Sequence, residues 1–274
     1  MVFSWSVAVR VLWALLAGWM LASCAGKRVV ETPRHVAFTI ESAVLEETRR
    51  INVYLPPVRA AGQRFPVIYM LDGGIAEDFP HVATAIDTAI RAGRMAPVIL
   101  VGIENTQRRR DMTGTTSVAE DRRIAPVVGG AALFRDFIAR ELIPRIEATY
   151  PVNERRGIIG ESLAGLFVIE TLSVSPKLFD TYIALDPSLW WNGGKLAEGA
   201  PVWLAMHQAI SARLYLAWAE REMIGPNIHA LERGLSTSAP EGLQWQVVER
   251  ADLSHETIYR ALAPEVLPAM YPSE

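Results

Sequence analysis

One stretch constrains this chain more than any other: "RRGIIGESLAGLFVIETL" (155–172), in which a serine stands between a short apolar burst and a longer apolar run. The burst has the length and composition of a strand covered on both faces, and "SLAGLFVIETL" reads as a helix buried beside it. A chain that passes from a buried strand straight into a buried helix must turn sharply at Ser162. The residues two before and two after the serine then face each other closely and must be small. Gly160 meets that demand, Ala164 adds one methyl to the usual glycine, and Gly165 lets the new helix approach the sheet. A serine at such an elbow is held in a strained conformation with its hydroxyl available, and the helix start aims N–H groups at the space above it. The plainer alternative is a serine that merely caps an ordinary helix.

The rest of the chain supplies the sheet that such an elbow needs. "HVAFTIES" (35–42) and "RRINVYLPP" (49–57) alternate apolar and polar positions and read as an antiparallel pair. "FPVIYML", "APVILVGIE", "DTYIALD", "RLYLAWA" and "LQWQVVE" are short apolar bursts typical of buried strands. Between them lie helical patterns, the clearest from Ala131 to Tyr150, where Phe134, Ile138, Leu142, Ile146 and Tyr150 recur on one face and Pro144 is expected to bend the helix. Alternation of this kind predicts an α/β fold with a mostly parallel central sheet and helices on both faces. Half of the 274 residues are hydrophobic, enough for one large core, and no repeat or long linker interrupts the chain after Thr32. Functional groups then belong at the carboxyl ends of the strands.

A serine nucleophile needs a base and an orienting acid. In the α/β-hydrolase order, nucleophile then acid then histidine, only histidines after Ser162 qualify. His207 and His229 fall in helical patterns, whereas His255, in "ADLSHETIY", occupies the loop between the last strand and the last helix. The acid has three candidates: Glu222, the first choice, and Glu220, both after "RLYLAWA", and Asp186 at the end of "DTYIALD". A Ser-His dyad without an acid is also open. The N–H of Leu163 and that of Gly74, in the turn "LDGG" after the third strand, are the expected oxyanion donors.

The N-terminus reads as an export signal. Arg10 precedes the apolar run "VLWALLAGWMLAS", too short to span a bilayer and ending in small residues. "LASC" resembles the lipobox of bacterial lipoproteins, in which Cys24, the single cysteine of the chain, would be acylated and become the mature N-terminus. The expected organisation is a signal peptide over 1–23, a short tether over 24–32 and an α/β-hydrolase domain over 33–274. An exported envelope lipoprotein follows, in the periplasm, with an outer-membrane anchor favoured because Ala25 is not the aspartate of inner-membrane retention. A net charge of −3 gives no general argument for nucleic acid. No His/Cys/Asp constellation has zinc spacing and no glycine-rich phosphate loop is present, so neither a metal nor another cofactor is expected.

Taken in order, "RRINVYLPP", "FPVIYMLDGG", "ILVGIENTQRRRDMT", "IIGESLAGLFVIETL", "ALDPSLWWNGG" and "LSHETIY" make the chain resemble the Putative esterase family of α/β-hydrolases, which includes enterochelin (enterobactin) esterases. The resemblance covers nearly the whole of the expected mature chain. It implies Ser162 as nucleophile, His255 as base and the Asp72-Gly73-Gly74 turn on the oxyanion side, and leaves the acid unsettled. The activity implied is a serine carboxylic ester hydrolase working through an acyl-enzyme, with a small-molecule ester as its partner. A ferric catecholate siderophore or its enterobactin-like trilactone is the expected substrate. The basic run Arg108, Arg109, Arg110, with Arg122 and Arg123, could receive such an anion, Arg110 being the chosen contact, and Trp190 and Trp191 could wall it. Two alternatives stand beside this: a general carboxylesterase of feruloyl or acetyl-sugar type, and a membrane-tethered ligand-binding protein that keeps the fold without turnover.

Overall fold

The computed structural model describes residues 32–57, 60 and 62–273. The expected signal peptide, Cys24 and all but the last residue of the tether lie outside the described residues.

The apolar bursts form one eight-stranded sheet: β1 (His35–Ser42), β2 (Glu47–Tyr54), β3 (Phe65–Met70), β4 (Ile99–Ile103), β5 (Val152–Glu161), β6 (Thr181–Leu185), β7 (Ala212–Trp218) and β8 (Leu243–Glu249). Their order across the sheet is β1-β2-β4-β3-β5-β6-β7-β8. β1 pairs antiparallel with β2, and β2 with β4; every later pairing is parallel. This is the α/β-hydrolase fold expected from the sequence.

Period-two alternation splits the core in two. On β3, Val67 and Tyr69 join the core on one face, while Ile68 and Met70 join that on the other. The first face is covered by the helices Ala131–Phe137, Ile143–Thr149, Leu163–Val174 and Gly225–Ser238, the second by Phe79–Arg91 and Ile258–Met270. Helix Leu163–Val174 is buried on nearly every side, which explains why its sequence carries no polar stripe.

The helix expected over 131–150 is broken. Ala131–Phe137 widens into a π-helical turn, Ile138–Leu142, before Ile143–Thr149 resumes. Pro144 is the cause: it has no N–H to give a carbonyl one turn back, and its ring crowds that carbonyl. Phe134, Ile138, Leu142 and Ile146 still share the buried face.

The parallel strands deliver their following residues to one edge of the sheet. Asp72 follows β3, Ser162 follows β5, Asp186 follows β6, Glu220 follows β7, and His255 stands in the loop after β8. Asp72, Ser162 and Asp186 all have positive φ, marking three sharp exits from neighbouring strands.

Candidate active site

Ser162 has φ 60° and ψ −122°, a conformation that a residue with a side chain rarely adopts. Neighbouring backbone holds it there. Its N–H donates to Leu185 O at 3.0 Å, and its carbonyl accepts from Leu166 N–H at 2.9 Å and Ser188 N–H at 3.0 Å. A Cβ added to Gly160 would lie 2.7 Å from the Ala164 carbonyl oxygen and 2.8 Å from its methyl. The elbow therefore tolerates alanine at 164 because position 160 has no side chain. Gly165 also comes close to the chain leaving β6: a Cβ there would lie 3.0 Å from Pro187 Cα. Leu163 opens the following helix, so its N–H is among those with no acceptor inside the helix.

His255 lies in the β8 loop. Ser254 braces that loop, its carbonyl accepting from the N–H groups of Thr257 at 3.0 Å and Ile258 at 2.9 Å. The imidazole Nδ1 is 2.6 Å from Asp186 Oδ2. Asp186 is wholly buried. Its other oxygen accepts N–H groups from Ala219 at 2.8 Å and Glu220 at 3.3 Å. The hydrogen bond to Asp186 raises the His255 pKa above its ordinary value, against burial, which lowers it; the nearby Glu161 charge adds to the rise. Ser162 and His255 line the same cavity of about 490 Å³. Among the described residues the serine hydroxyl meets Ser188 Oγ, 3.3 Å away, and no hydrogen bond joins it to His255. Catalytic hydrogen bonds are often loose in an unliganded site and tighten with substrate.

The first choice of acid is corrected by this geometry. Glu222 is exposed, and its N–H donates to Glu220 Oε1 at 2.9 Å. The Glu220 carboxylate thus serves its own loop, and the backbone of that loop supports Asp186. Asp186, the third candidate, is the carboxylate on His255. Its turn at φ 45° directs it toward the β8 loop, and amides from the end of β7 satisfy its second oxygen.

Gly74 is the second correction. Its N–H donates to Glu77 Oε2 at 2.7 Å, so this donor is spent on a carboxylate of the chain itself. Burial raises the Glu77 pKa, while the Gly74 and Asn105 hydrogen bonds oppose the rise.

The basic run does not form an anion receptor. Arg110 pairs with Glu47 at 2.9 Å and with Asp111, away from the cavity. Arg109 donates to Ile124 O, Arg122 donates to Thr116 O at 3.3 Å, and Arg123 pairs with Glu120 at 2.7 Å. Arg108 alone of this run reaches the cavity, where it grips Asp72 in a fork, Nε to Oδ1 at 2.6 Å and Nη2 to Oδ2 at 2.8 Å. Neither tryptophan lines the cavity at Ser162. Trp191 is buried and donates its indole N–H to Gly114 O at 3.2 Å; Trp190 packs against it and the core. Side chains of this size find buried partners once the fold is formed, and that removes them from the cavity wall.

Three groups at the site were not singled out from sequence. Ser188 left no local signal. Glu77 has none beyond its place after a glycine turn. Glu161 stands directly before Ser162, and its position at a strand end could have marked it. Burial pushes its carboxyl up to about 7, with the positive His255 opposing and Asp72 and Asp78 adding to the shift. Among the described residues no group of three or more His, Cys, Asp or Glu is placed to hold a metal ion.

Comparison with known proteins supports an esterase. Residues 42–227 match the family described as Putative esterase. A ferri-bacillibactin esterase of Bacillus subtilis is 27% identical over 249 residues, covering 81% of this chain and 84% of that protein. An iron(III) salmochelin esterase of Escherichia coli is 26% identical over 212 residues, and the match spans 71% of this chain and about half, 48%, of that longer protein. Among solved structures, an IroE-like serine hydrolase from Shewanella oneidensis superposes with a TM-score of 0.76 at 26% identity, over 87% of this chain and 80% of that one.

Proposed function

Since this chain belongs to the Putative esterase family and is an esterase, we propose that it cleaves the ester bonds of a siderophore, by attack of Ser162 and through an acyl-enzyme. The observation that carries the reading is the cavity onto which both Ser162 and the Asp186-held His255 open. The substrate class is supported by the relatives named as ferri-bacillibactin and salmochelin esterases.

In the proposed reaction the Ser162 hydroxyl swings from Ser188 to His255 Nε2, which takes its proton as Oγ attacks the ester carbonyl. Asp186 steadies the imidazolium, and the Leu163 N–H meets the developing oxyanion. His255 returns the proton to the leaving alcohol. Water then gives a proton to His255 as it attacks the acyl carbon, and His255 returns that proton to Ser162 Oγ as the acyl bond breaks and the acid leaves.

The proposed setting is the cell envelope, with the chain exported and Cys24 acylated at an outer-membrane anchor. Intact-mass analysis after expression in a Gram-negative host tests this; a mature N-terminus without diacylglycerol on Cys24 overturns it.

Activity is tested with a serine-directed fluorophosphonate, a short-chain nitrophenyl ester and an enterobactin-type trilactone. Ser162→Ala should lose labelling and all turnover. Undiminished hydrolysis by that variant refutes the nucleophile, and nitrophenyl turnover without any trilactone cleavage refutes the siderophore and leaves a general carboxylesterase.

A further inference from the structure

One hydrogen-bond donor in the wall of the Ser162 cavity is left unmatched. Around it, polar side chains find partners within the chain: Ser162 meets Ser188, His255 meets Asp186, Arg108 meets Asp72, Arg260 meets Asp78 and Glu256 meets Ser254. Tyr259 lines the same cavity and is 3% exposed, and its hydroxyl is buried with no hydrogen-bond partner among the described residues. Folded chains rarely leave such a group unpaired, because its lost hydration goes uncompensated. Burial, with the charges of Asp78, Asp72 and Glu161, holds its pKa well above the ordinary phenol value, so the group stays protonated and is available as a donor. The ring belongs to the core on the second face of the sheet, which fixes the place of the hydroxyl.

In ester cleavage His255 must reach both Ser162 Oγ and the leaving oxygen, so the alcohol portion of the ester lies on the histidine's side of the cavity. Tyr259 stands on that side. It follows His255 by one helical turn in sequence, and the chain between them is tied down where Ser254 O accepts from the N–H groups of Thr257 and Ile258. Glu256, Tyr259 and Arg260 all line the cavity from this one segment. We propose that the Tyr259 hydroxyl is a specificity-determining donor that binds a second oxygen in the alcohol portion of the substrate, a carbonyl or ether oxygen a few bonds beyond the scissile ester oxygen. The substrate class is then an ester whose alcohol carries a further oxygen, in preference to a plain alkyl ester. This deepens the ester hydrolysis by Ser162 proposed above and rests on it.

The test uses the purified protein and three esters of matched shape, followed by acid release. They are n-butyl pentanoate, 2-methoxyethyl pentanoate with its extra oxygen in the alcohol, and n-butyl 3-methoxypropanoate with its extra oxygen in the acyl part. The ratio of kcat/KM for methoxyethyl over butyl pentanoate, compared between wild type and Tyr259→Phe, cancels the intrinsic reactivity of the two esters. It should be about three- to tenfold smaller in Tyr259→Phe, as expected for one neutral hydrogen bond, while the ratio for the acyl pair is unchanged. Tyr259→Phe should melt at the wild-type temperature or above it, since the lost hydroxyl has no partner in the free protein. Equal ratios in the two proteins overturn the contact, whether or not both esters are slowed. A change confined to the acyl pair overturns its placement on the alcohol. A lower melting temperature overturns the unpaired hydroxyl on which the proposal stands. Hydrolysis of all three esters by Ser162→Ala at the wild-type rate refutes the nucleophile, whereas Ser162-dependent turnover with equal ratios sinks the role of Tyr259 alone.

Discussion

His255 Nδ1 stands 2.6 Å from Asp186 Oδ2, and Asp186 is the residue that follows β6, one strand nearer the nucleophile than the loop in which Glu220 and Glu222 lie. Leu185 at the end of β6 is in register with Ala217 near the end of β7. A carboxylate on either strand end is thus level with the β8 loop. The N–H groups of Ala219 and Glu220 favour the β6 position, since they turn the end of β7 into a donor for Asp186.

Asp186→Asn should lower kcat/KM by about 10²–10⁴, because the amide fixes the wrong imidazole tautomer and no longer stabilises the imidazolium. Glu222→Gln and Glu220→Gln should stay within a few-fold of wild type. Initial rates on a nitrophenyl ester check all three, with circular dichroism to show that each variant is folded. Loss in Glu222→Gln and none in Asp186→Asn would reverse the assignment.

The acid limb of the kcat/KM profile should titrate above the ordinary histidine value. The base must be neutral, and the Asp186 hydrogen bond raises its pKa, so activity falls as pH drops through that raised value. Glu161 adds to the rise. Glu161→Gln should therefore move the limb to lower pH. An unmoved limb would show that Glu161 does not couple to His255.

Glu161 should also cost stability at alkaline pH. Its folded pKa is raised to about 7 from 4.5. As pH rises from the unfolded toward the folded value, the unfolded chain ionises while the folded one is penalised, and the stability present at low pH is lost. Glu161→Gln should raise Tm relative to wild type by a few degrees at about pH 8 and by little at about pH 4. Thermal melts at both pH values test this.

The elbow's tolerance should be one-sided. Ala164→Gly should leave activity nearly intact, since the methyl is accommodated. Gly160→Ala would drive a Cβ to 2.7 Å from the Ala164 backbone and should cost about 1–3 kcal/mol, with loss of activity. Urea unfolding with parallel assays measures both, and Ala164→Gly should restore Gly160→Ala only in part, since it removes the methyl at 2.8 Å and leaves the backbone at 2.7 Å.

Asp111 is buried with Arg49, whose guanidinium also lies over the Phe134 ring at 5.1 Å. Asp111→Ala leaves that cation without its main buried partner and should destabilise by about 3–5 kcal/mol. Arg110→Ala, at the partly exposed edge of the same cluster, should cost far less and leave KM for ester substrates unchanged. Urea unfolding and steady-state kinetics separate the two.

The sequence by itself determined the elements and the elbow. Alternating stretches placed the first two strands and short continuous apolar bursts the other six, because burial on one or both faces of a sheet is written residue by residue along each strand. Gly160, Ala164 and Gly165 marked the turn at Ser162, since a close backbone approach admits only small side chains. His255 was legible from its loop between the last strand and the last helix. The proline break within 131–150 was visible, though not that the chain would resolve it as a π turn.

Tertiary structure alone decided which carboxylate, which arginine and which amide belong to the site. Asp186, Glu220 and Glu222 are locally equivalent acids at strand ends, and the choice depends on amides of β7 meeting a side chain from β6, residues more than thirty positions apart. Arg108, Arg109 and Arg110 are consecutive, yet Asp72, a carbonyl of Ile124 and Glu47 claim one each. Trp191 lies in the core with Trp190 packed against it, and neither lines the cavity at Ser162. Long polar and aromatic side chains take the partners that the folded chain brings within reach, and the pattern of neighbours along the sequence carries no record of those distances.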